Sequence, residues 1–517
     1  MISESYKIVG GNFERGGLAS RKLKEHLKQL GIEPGILRRI MIAAYEAEMN
    51  VVIHAHSGDM WVTIDNAEIR IEVHDEGPGI PDIEQAMRLG FTTASEQARA
   101  MGFGAGMGLP NIKRHSDHFE IDSSVGQGTR LKSVIFLRDQ QAGVQVPHSL
   151  RATAELCCGC LQCLHTCPTR AIRVRDDSPH ISDYLCIDCT ACIGVCDTGA
   201  LNMECADSFS PPQNGANLVL PSSFLVQFIP EAGPQGVLAA LEELGFHSIR
   251  FTEGWETALH ASVPAYAEEH RDIRPIISPV CPAITNILEM KFPSLLGNVA
   301  PFLSPVEAAC DELRNEAVTF VPACPGQQTM LMRQGLSDSR ASISPSALSQ
   351  AVLPHLRTTA DTREQWDAVP RPPAYDPDRV LQVSGIRNVL SILEKIETGL
   401  LNDVPVLELY VCDQGCFGSP LLKEGPFIAR FRWLHSLIQY NADARAVHRA
   451  TPLVPRSGLR LAPDMAQAIK RLAHIEEVTQ ALPGKNCGMC GAPTCSALAE
   501  DIVMGRATKT ACIYMRE

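Results

Sequence analysis

The sequence predicts a multidomain chain built from α/β and α+β units, and three observations carry that expectation. Its 517 residues suffice for about three or four domains of ordinary size. Its 19 cysteines are unevenly spread: none before Cys157, ten from Cys157 to Cys205, five from Cys281 to Cys416, and four from Cys487 onward. Helical and strand-like periodicities alternate on both sides of the first cysteine-rich stretch. The net charge of −13 argues against a nucleic-acid partner, which would need a basic face. No apolar run approaches the length of a membrane span. The first residues lack a basic-then-apolar leader, so a cytoplasmic location is expected. Thiols stay reduced in that compartment, which points the cysteines to metal or redox chemistry rather than disulfides.

In the cysteine-free unit at residues 1–138, positions 37–56 read as a helix, with Leu37, Ile40, Met41, Ala44 and Ile53 at helical spacing. Residues 60–64 and 69–73 read as strands joined by a turn at Asp65-Asn66, and 129–137 as a last strand. Three motifs follow this frame. Glu46 and Asn50 stand four apart, so both side chains share one helix face. A carboxylate there can act as a base, and an amide oxygen can help hold Mg²⁺. Asp75-Glu-Gly77-Pro-Gly79 follows a strand, where an Asp can accept a hydrogen bond from an adenine amino group and glycines allow close approach. Gly102-Phe-Gly104-Ala-Gly106-Met-Gly108 opens a helix around 110–114, whose backbone N–H groups can face phosphates. Glu46–Asn50 with His54, then DEGPGIPD, GMGL and VGQGT ending at Thr129, resemble the GHKL ATPases, nearest the anti-sigma-factor serine kinases. That resemblance implies an α/β sandwich binding Mg²⁺ and ATP. It makes Glu46 the base, puts Asn50 on the metal and Asp75 on adenine, and places Gly77, Gly79, Gly104, Gly106, Gly108 and Thr129 around the nucleotide.

After a linker at 139–150 comes a unit at 151–205. Cys157, Cys160, Cys163 and Cys167-Pro168 are followed by Cys186, Cys189, Cys192 and Cys196, the spacing of a two-[4Fe-4S] bacterial ferredoxin. Tight two-residue loops wrap three thiolates round one cube, and the fourth cysteine of each run serves the other. One set is Cys157, Cys160, Cys163 and Cys196; the other is Cys186, Cys189, Cys192 and Cys167. Asp197 replaces the usual proline of the second run, and Cys158 and Cys205 read as buried thiols.

A second linker is expected at 206–216, then an α/β unit at 217–455 with a Pro-rich surface excursion at 356–378. Cys281, Cys324 and the pair Cys412 and Cys416 each follow a strand-like run, so they can converge at the carboxyl edge of one sheet. SPVCPA, FPSLLGNVAPFLSPVEA, VPACPG and CDQGCFG resemble the C-terminal domain of the iron-only hydrogenase large subunit. The resemblance implies a [4Fe-4S] cube on these four cysteines, with Cys416 at the position that bridges to a di-iron unit. Val280, Gln327 and Tyr410 depart from the catalytic members' Cys, Lys and Met, and so count against hydrogen evolution. Cys310 matches no cluster position and reads as core.

The tail, 475–517, carries Cys487, Cys490, Cys495 and Cys512 on a helical frame and resembles the small [4Fe-4S] module of electron-transfer subunits. Zinc is its competing occupant. The expected fold is thus a GHKL α/β sandwich, a ferredoxin-like domain, an iron-hydrogenase-like α/β domain and a small Fe-S module. The expected function is regulatory: redox or hydrogen-linked electron state acts on a kinase or ATPase unit, with a protein substrate and a redox partner protein or ferredoxin. The alternative is an oxidoreductase in which ATP gates electron delivery to the middle cluster.

Overall fold

The computed structural model describes residues 2–65, 67–100, 104, 106–137, 148–212, 216–228, 232–246, 248–335, 340–356, 378–397, 399–434, 444–456, 461–462 and 465–515. Most of the expected linker at 139–150, nearly all of the 356–378 excursion and Gly102 lie outside these residues.

Helix α2 (Pro34–His54) organises the first unit. Glu33 caps it by accepting from Gly35 N and Ile36 N at 2.8 and 2.9 Å, and Pro34 takes a first-turn place where its missing N–H costs nothing. These two residues start the helix three positions earlier than the apolar spacing suggests. Leu37, Ile40, Met41 and Ala44 are buried as expected. The stripe lies on a five-stranded antiparallel sheet in the order β1-β2-β3-β5-β4. Its strands are β1 (Ile2–Val9), β2 (Ser57–Ile64), β3 (Glu68–Asp75), β4 (His118–Ser123) and β5 (Thr129–Phe136). β2 and β3 alternate buried and part-exposed residues, as a sheet with one covered face requires. Asp65 closes their hairpin by accepting from Ala67 N and Glu68 N. Helices α1 (Leu18–Gln29) and α3 (Gly108–His115) complete the layer. Helix α9 (Met465–Ala481) begins before the expected tail boundary, and its Ala468, Leu472 and Ile475 share a core with Leu23 and Leu27 of α1.

In the cysteine-rich stretch β6 (Leu150–Ala152) pairs with β9 (Leu201–Met203), and β7 (Ile172–Arg175) with β8 (Ser178–Ile181). Two short helices, Gln162–Thr166 and Ala191–Gly194, each start after a left-handed residue, Leu161 and Thr190, both at φ 64. The two cysteine runs therefore share one local geometry. Cys158 corrects the expectation of a buried thiol: it is exposed, at the rim of the stretch. Cys205 is half-buried, while Cys310 is in the core beside Trp255 and Phe320. The expected linker at 206–216 is pinned at its start, where Ala206 bridges to Ile343.

Among the described residues the middle unit holds two parallel sheets rather than one. The first runs β11-β10-β13-β14 and the second β12-β16-β15. Its strands are β10 (Asn217–Leu220), β11 (Ser248–Phe251), β12 (Ile276–Ile277), β13 (Val318–Phe320), β14 (Arg340–Ser342), β15 (Val380–Ser384) and β16 (Val406–Tyr410). Cys281 and Cys412 follow strands of the second sheet and Cys324 a strand of the first, which corrects the single-sheet expectation. Cys281 and Cys324 also cap helices α5 (Pro282–Lys291) and α7 (Pro325–Arg333), with proline in the first turn of each.

The units are packed together. α2 lies against the turn Pro293–Asn298 and against α8 (Ile386–Glu397). Lys24 and Lys28 of α1, with Lys291, surround the Phe292 ring at 4.7, 5.2 and 5.4 Å, and Lys24 pairs with Glu397. The tail docks on the cysteine-rich stretch, where Val174 N donates to Gly491 O and buried Asp501 receives Arg173 and Arg175 at 2.7 Å each. No described helix is long and apolar enough to cross a membrane.

Candidate functional site

A cleft runs along α2 and is lined by Glu46, Asn50, Asp75, Gly79, Gly104, Gly106, Gly108 and Thr129. Gly77 is not in the lining; its N–H donates to Asp75 Oδ1 at 2.8 Å, and Thr129 N donates to the same oxygen at 3.2 Å. The loop thus fixes Asp75 through one oxygen. Gly79, at φ +72, has no room for a side chain: a Cβ there would lie 2.1 Å from Ser124 O. Gly108 starts α3 directly over the Glu46–Asn50 face of α2, where a Cβ would meet Asn50 Oδ1 at 3.0 Å and Glu46 Oε2 at 3.3 Å. Asn111, one turn further on, donates to Glu46 Oε1 at 2.7 Å. The sequence reading missed it; an amide in the first turn of α3, close after the glycines, was the available signal. Burial raises the Glu46 carboxyl, with the Asn111 bond opposing. A carboxylate raised in this way is a better proton acceptor than an exposed one.

Four small cavities each gather cysteines. One is bordered by Cys157, Cys160, Cys163 and Cys196, with Cys158 at its rim. A second is lined by Cys167, Cys186, Cys189 and Cys192, and a third by Cys487, Cys490, Cys495 and Cys512. The fourth holds Cys281, Cys324, Cys412 and Cys416, and Cys189 borders it too. Counting the open space at their mouths, the first three span about 350, 300 and 320 Å³ and the fourth about 620 Å³. Burial and neighbouring thiols push Cys163 up to about 11 and Cys192 up to about 12; burial and Cys281 push Cys412 up to about 12. Such thiols ionise together only if a cation compensates them, and thiolate sets of this kind suit iron–sulfur clusters. The donor sets therefore fit the group.

The fourth cavity has a polar side that spacing alone did not reveal. Tyr410 Oη lies 2.5 Å from Glu256 Oε1 and 2.9 Å from Glu408 Oε1, and His260 is 2.9 Å from Glu408 Oε2. Glu256 belongs to α4 (Thr252–Glu269), and burial raises its carboxyl. Gln327 lines the same cavity, its Nε2 3.6 Å from Cys416 Sγ. Thr190 Oγ1 lies 3.7 Å from Cys412 Sγ inside the fourth cavity, and the neighbouring Cys189 borders both the second and the fourth.

A cleft on a GHKL-type sandwich, in one chain with four cysteine-lined cavities, defines an ATP-binding iron–sulfur protein. The chain belongs, through its first unit, to the histidine kinase-, DNA gyrase B- and HSP90-like ATPase family, whose model matches residues 35–141. The model for the iron-only hydrogenase large subunit, C-terminal domain, matches residues 220–321, and one for an Fe-S cluster matches residues 482–514. Over 126 residues the chain is 33% identical to the serine/threonine-protein kinase RsbT of Bacillus subtilis (strain 168), covering 23% of this chain and 89% of that protein. It is 36% identical over 104 residues to the anti-sigma F factor of Caldanaerobacter subterraneus subsp. tengcongensis, covering 19% and 68%. A solved [FeFe]-hydrogenase HydA1 from Chlamydomonas reinhardtii aligns at a TM-score of 0.32 and 15% identity, over 47% of this chain and 86% of that one.

Proposed function

We propose that this protein is a serine/threonine kinase or ATPase whose activity follows the redox state of its own iron–sulfur clusters. The observation that carries this is the shared packing of the ATP unit and the cysteine-bearing units, with α2 against the middle unit and α9 in the core of the first. In the cleft, Asp75 receives the adenine amino group, Asn50 holds Mg²⁺, and Gly104, Gly106 and Gly108 face the phosphates. Glu46 takes the proton of an attacking hydroxyl as its oxygen bonds to the γ-phosphorus. The bond to the β-phosphate oxygen breaks and ADP leaves.

Ferredoxin-type [4Fe-4S] cubes would be held by Cys157, Cys160, Cys163 and Cys196, and by Cys167, Cys186, Cys189 and Cys192. A tail cube would be held by Cys487, Cys490, Cys495 and Cys512, and a hydrogenase-like one by Cys281, Cys324, Cys412 and Cys416. When bound, such clusters supply one-electron chemistry. Around the last set the single Tyr410 hydroxyl proton is shared between Glu256 and Glu408, and the Glu256 carboxyl, raised by burial, can hold a further proton beside the cysteines. The protein substrate is proposed by analogy with the kinase and anti-sigma relatives.

The test uses anaerobically prepared holoprotein. Phosphotransfer from ATP to a partner, or ATP hydrolysis, is measured with the clusters oxidised and then reduced by dithionite. A rate that differs between the two states supports the proposal; equal rates overturn the coupling. A second proposal, ATP-gated electron transfer, is favoured by the border that the second and fourth cavities share at Cys189. It requires that Mg-ATP change the rate or potential of cluster reduction with no protein substrate present.

A further inference from the structure

The nucleotide cleft has a second wall that comes from outside the first unit. Arg271 and Arg274, Gly297 and Asn298, and the turn around 399–402 line it together with Glu46 and Asn50. The order of groups along α2 shows which end of a nucleotide this wall faces. Asp75 sits at the carboxyl end of α2, where Gly77 backs onto Ala55. Asn50 and Glu46 follow toward the amino end, and Arg38 comes about 12 Å beyond Glu46 at 1.5 Å per residue. Arg38 Nη1 donates to Ser294 O at 3.5 Å, so the middle unit meets α2 beyond the Glu46 end of the cleft.

The charge there is one-sided. Arg38 and Arg114 of the first unit and Arg271 and Arg274 of the middle unit all line the cleft, and Asp272 is the acid of the 271–274 turn. Arg271 uses Nε to donate to Glu268 O at 3.2 Å. Partial desolvation lowers Arg38, and burial together with Arg114, Arg38 and Arg39 lowers His115. Guanidinium groups gathered where a polyphosphate terminates match its charge and its fork-shaped acceptors.

We propose that the hydrogenase-like unit completes the ATP site, with Arg271 and Arg274 positioning the terminal phosphate of a nucleoside triphosphate against Glu46. The proposal rests on the nucleotide site described above and adds the residues that tell a triphosphate from a diphosphate. It also gives the two halves of the chain a shared set of segments. Residues 271–274 continue through β12 to Cys281, and 399–402 continue through β16 to Cys412, the two strands running parallel. From Asn298 the chain passes Val299, which bridges to Ile277, and reaches Pro305 and Val306 at the rim of the fourth cavity. Each segment has one end in the nucleotide cleft and the other at the lining of the fourth cavity.

The test is the affinity of the full-length holoprotein for ATP and for ADP, each with Mg²⁺, in the wild type, in R271A/R274A and in R271K/R274K. The alanine pair is expected to lose about tenfold in ATP affinity while ADP affinity stays within about twofold, and the lysine pair to recover part of the loss. An unchanged ATP-to-ADP ratio in both variants overturns the proposal and leaves the nucleotide site standing. A wild type that binds neither nucleotide overturns the nucleotide site itself. If the alanine pair loses ADP as well, the lysine pair decides: a ratio equal to wild type counts against the arginines' role as forked donors, an intermediate one supports it.

Discussion

The nucleotide cleft and the Cys281–Cys416 cavity are built on opposite plans. The cleft is open, spans two units and uses polar groups placed one at a time, each with its own support: Asn111 for Glu46, the Gly77 and Thr129 N–H groups for Asp75. The cavity is small and its four thiols crowd one another in a low-dielectric space. Groups held singly can be removed singly, leaving the fold and changing only chemistry. Groups that share one partner are removed together.

Glu46→Ala gives the largest effect on that contrast. Phosphotransfer or hydrolysis should fall by about 10²–10⁴-fold, as for loss of a general base, while ATP affinity and iron content stay near wild type. If nucleotide binding collapses as well, the cleft is less modular than its separate supports suggest. Cys412→Ser is the counterpart: about four iron atoms per chain should disappear at once rather than a fraction, read by anaerobic iron counting and electron paramagnetic resonance. Retention of a full iron count would place the missing ligand elsewhere. The smallest effect is expected from Asn111→Ala. Burial raises the Glu46 carboxyl and the Asn111 bond pulls it back down. Without that bond the carboxyl rises further, so the acid limb of the pH–rate profile should move to higher pH. The base form is lost as pH falls through the raised value, hence activity rises with pH across that limb.

How far the sequence could be read depended on whether each feature is local. The paired cysteine runs were legible because two-residue spacings and a left-handed residue before each short helix set their geometry within a dozen positions. The α2 stripe and the Asp65 hairpin were legible for the same reason. β1 and β4 escaped notice: each is a sheet edge with a largely polar, part-exposed pattern, and its pairing partner fixes it rather than its own periodicity. The division of the middle unit into two sheets was also hidden, since a strand run does not state which neighbour it joins. Asn111 and the Arg271–Arg274 wall gain meaning only once α3 folds over α2 and the middle unit docks beside it.

Helix α9 has a consequence for how this chain can be handled and how it could have arisen. Its apolar side is built into the same interior as Leu23 and Leu27, some four hundred positions away in the polypeptide. Cutting the chain ahead of Met465 would leave a greasy trench on the ATPase module, inviting self-association, so a shortened version should not be taken as the catalytic piece in isolation. The ends of the molecule are effectively stitched to each other, and swapping its modules as loose beads on a string would require repairing that seam.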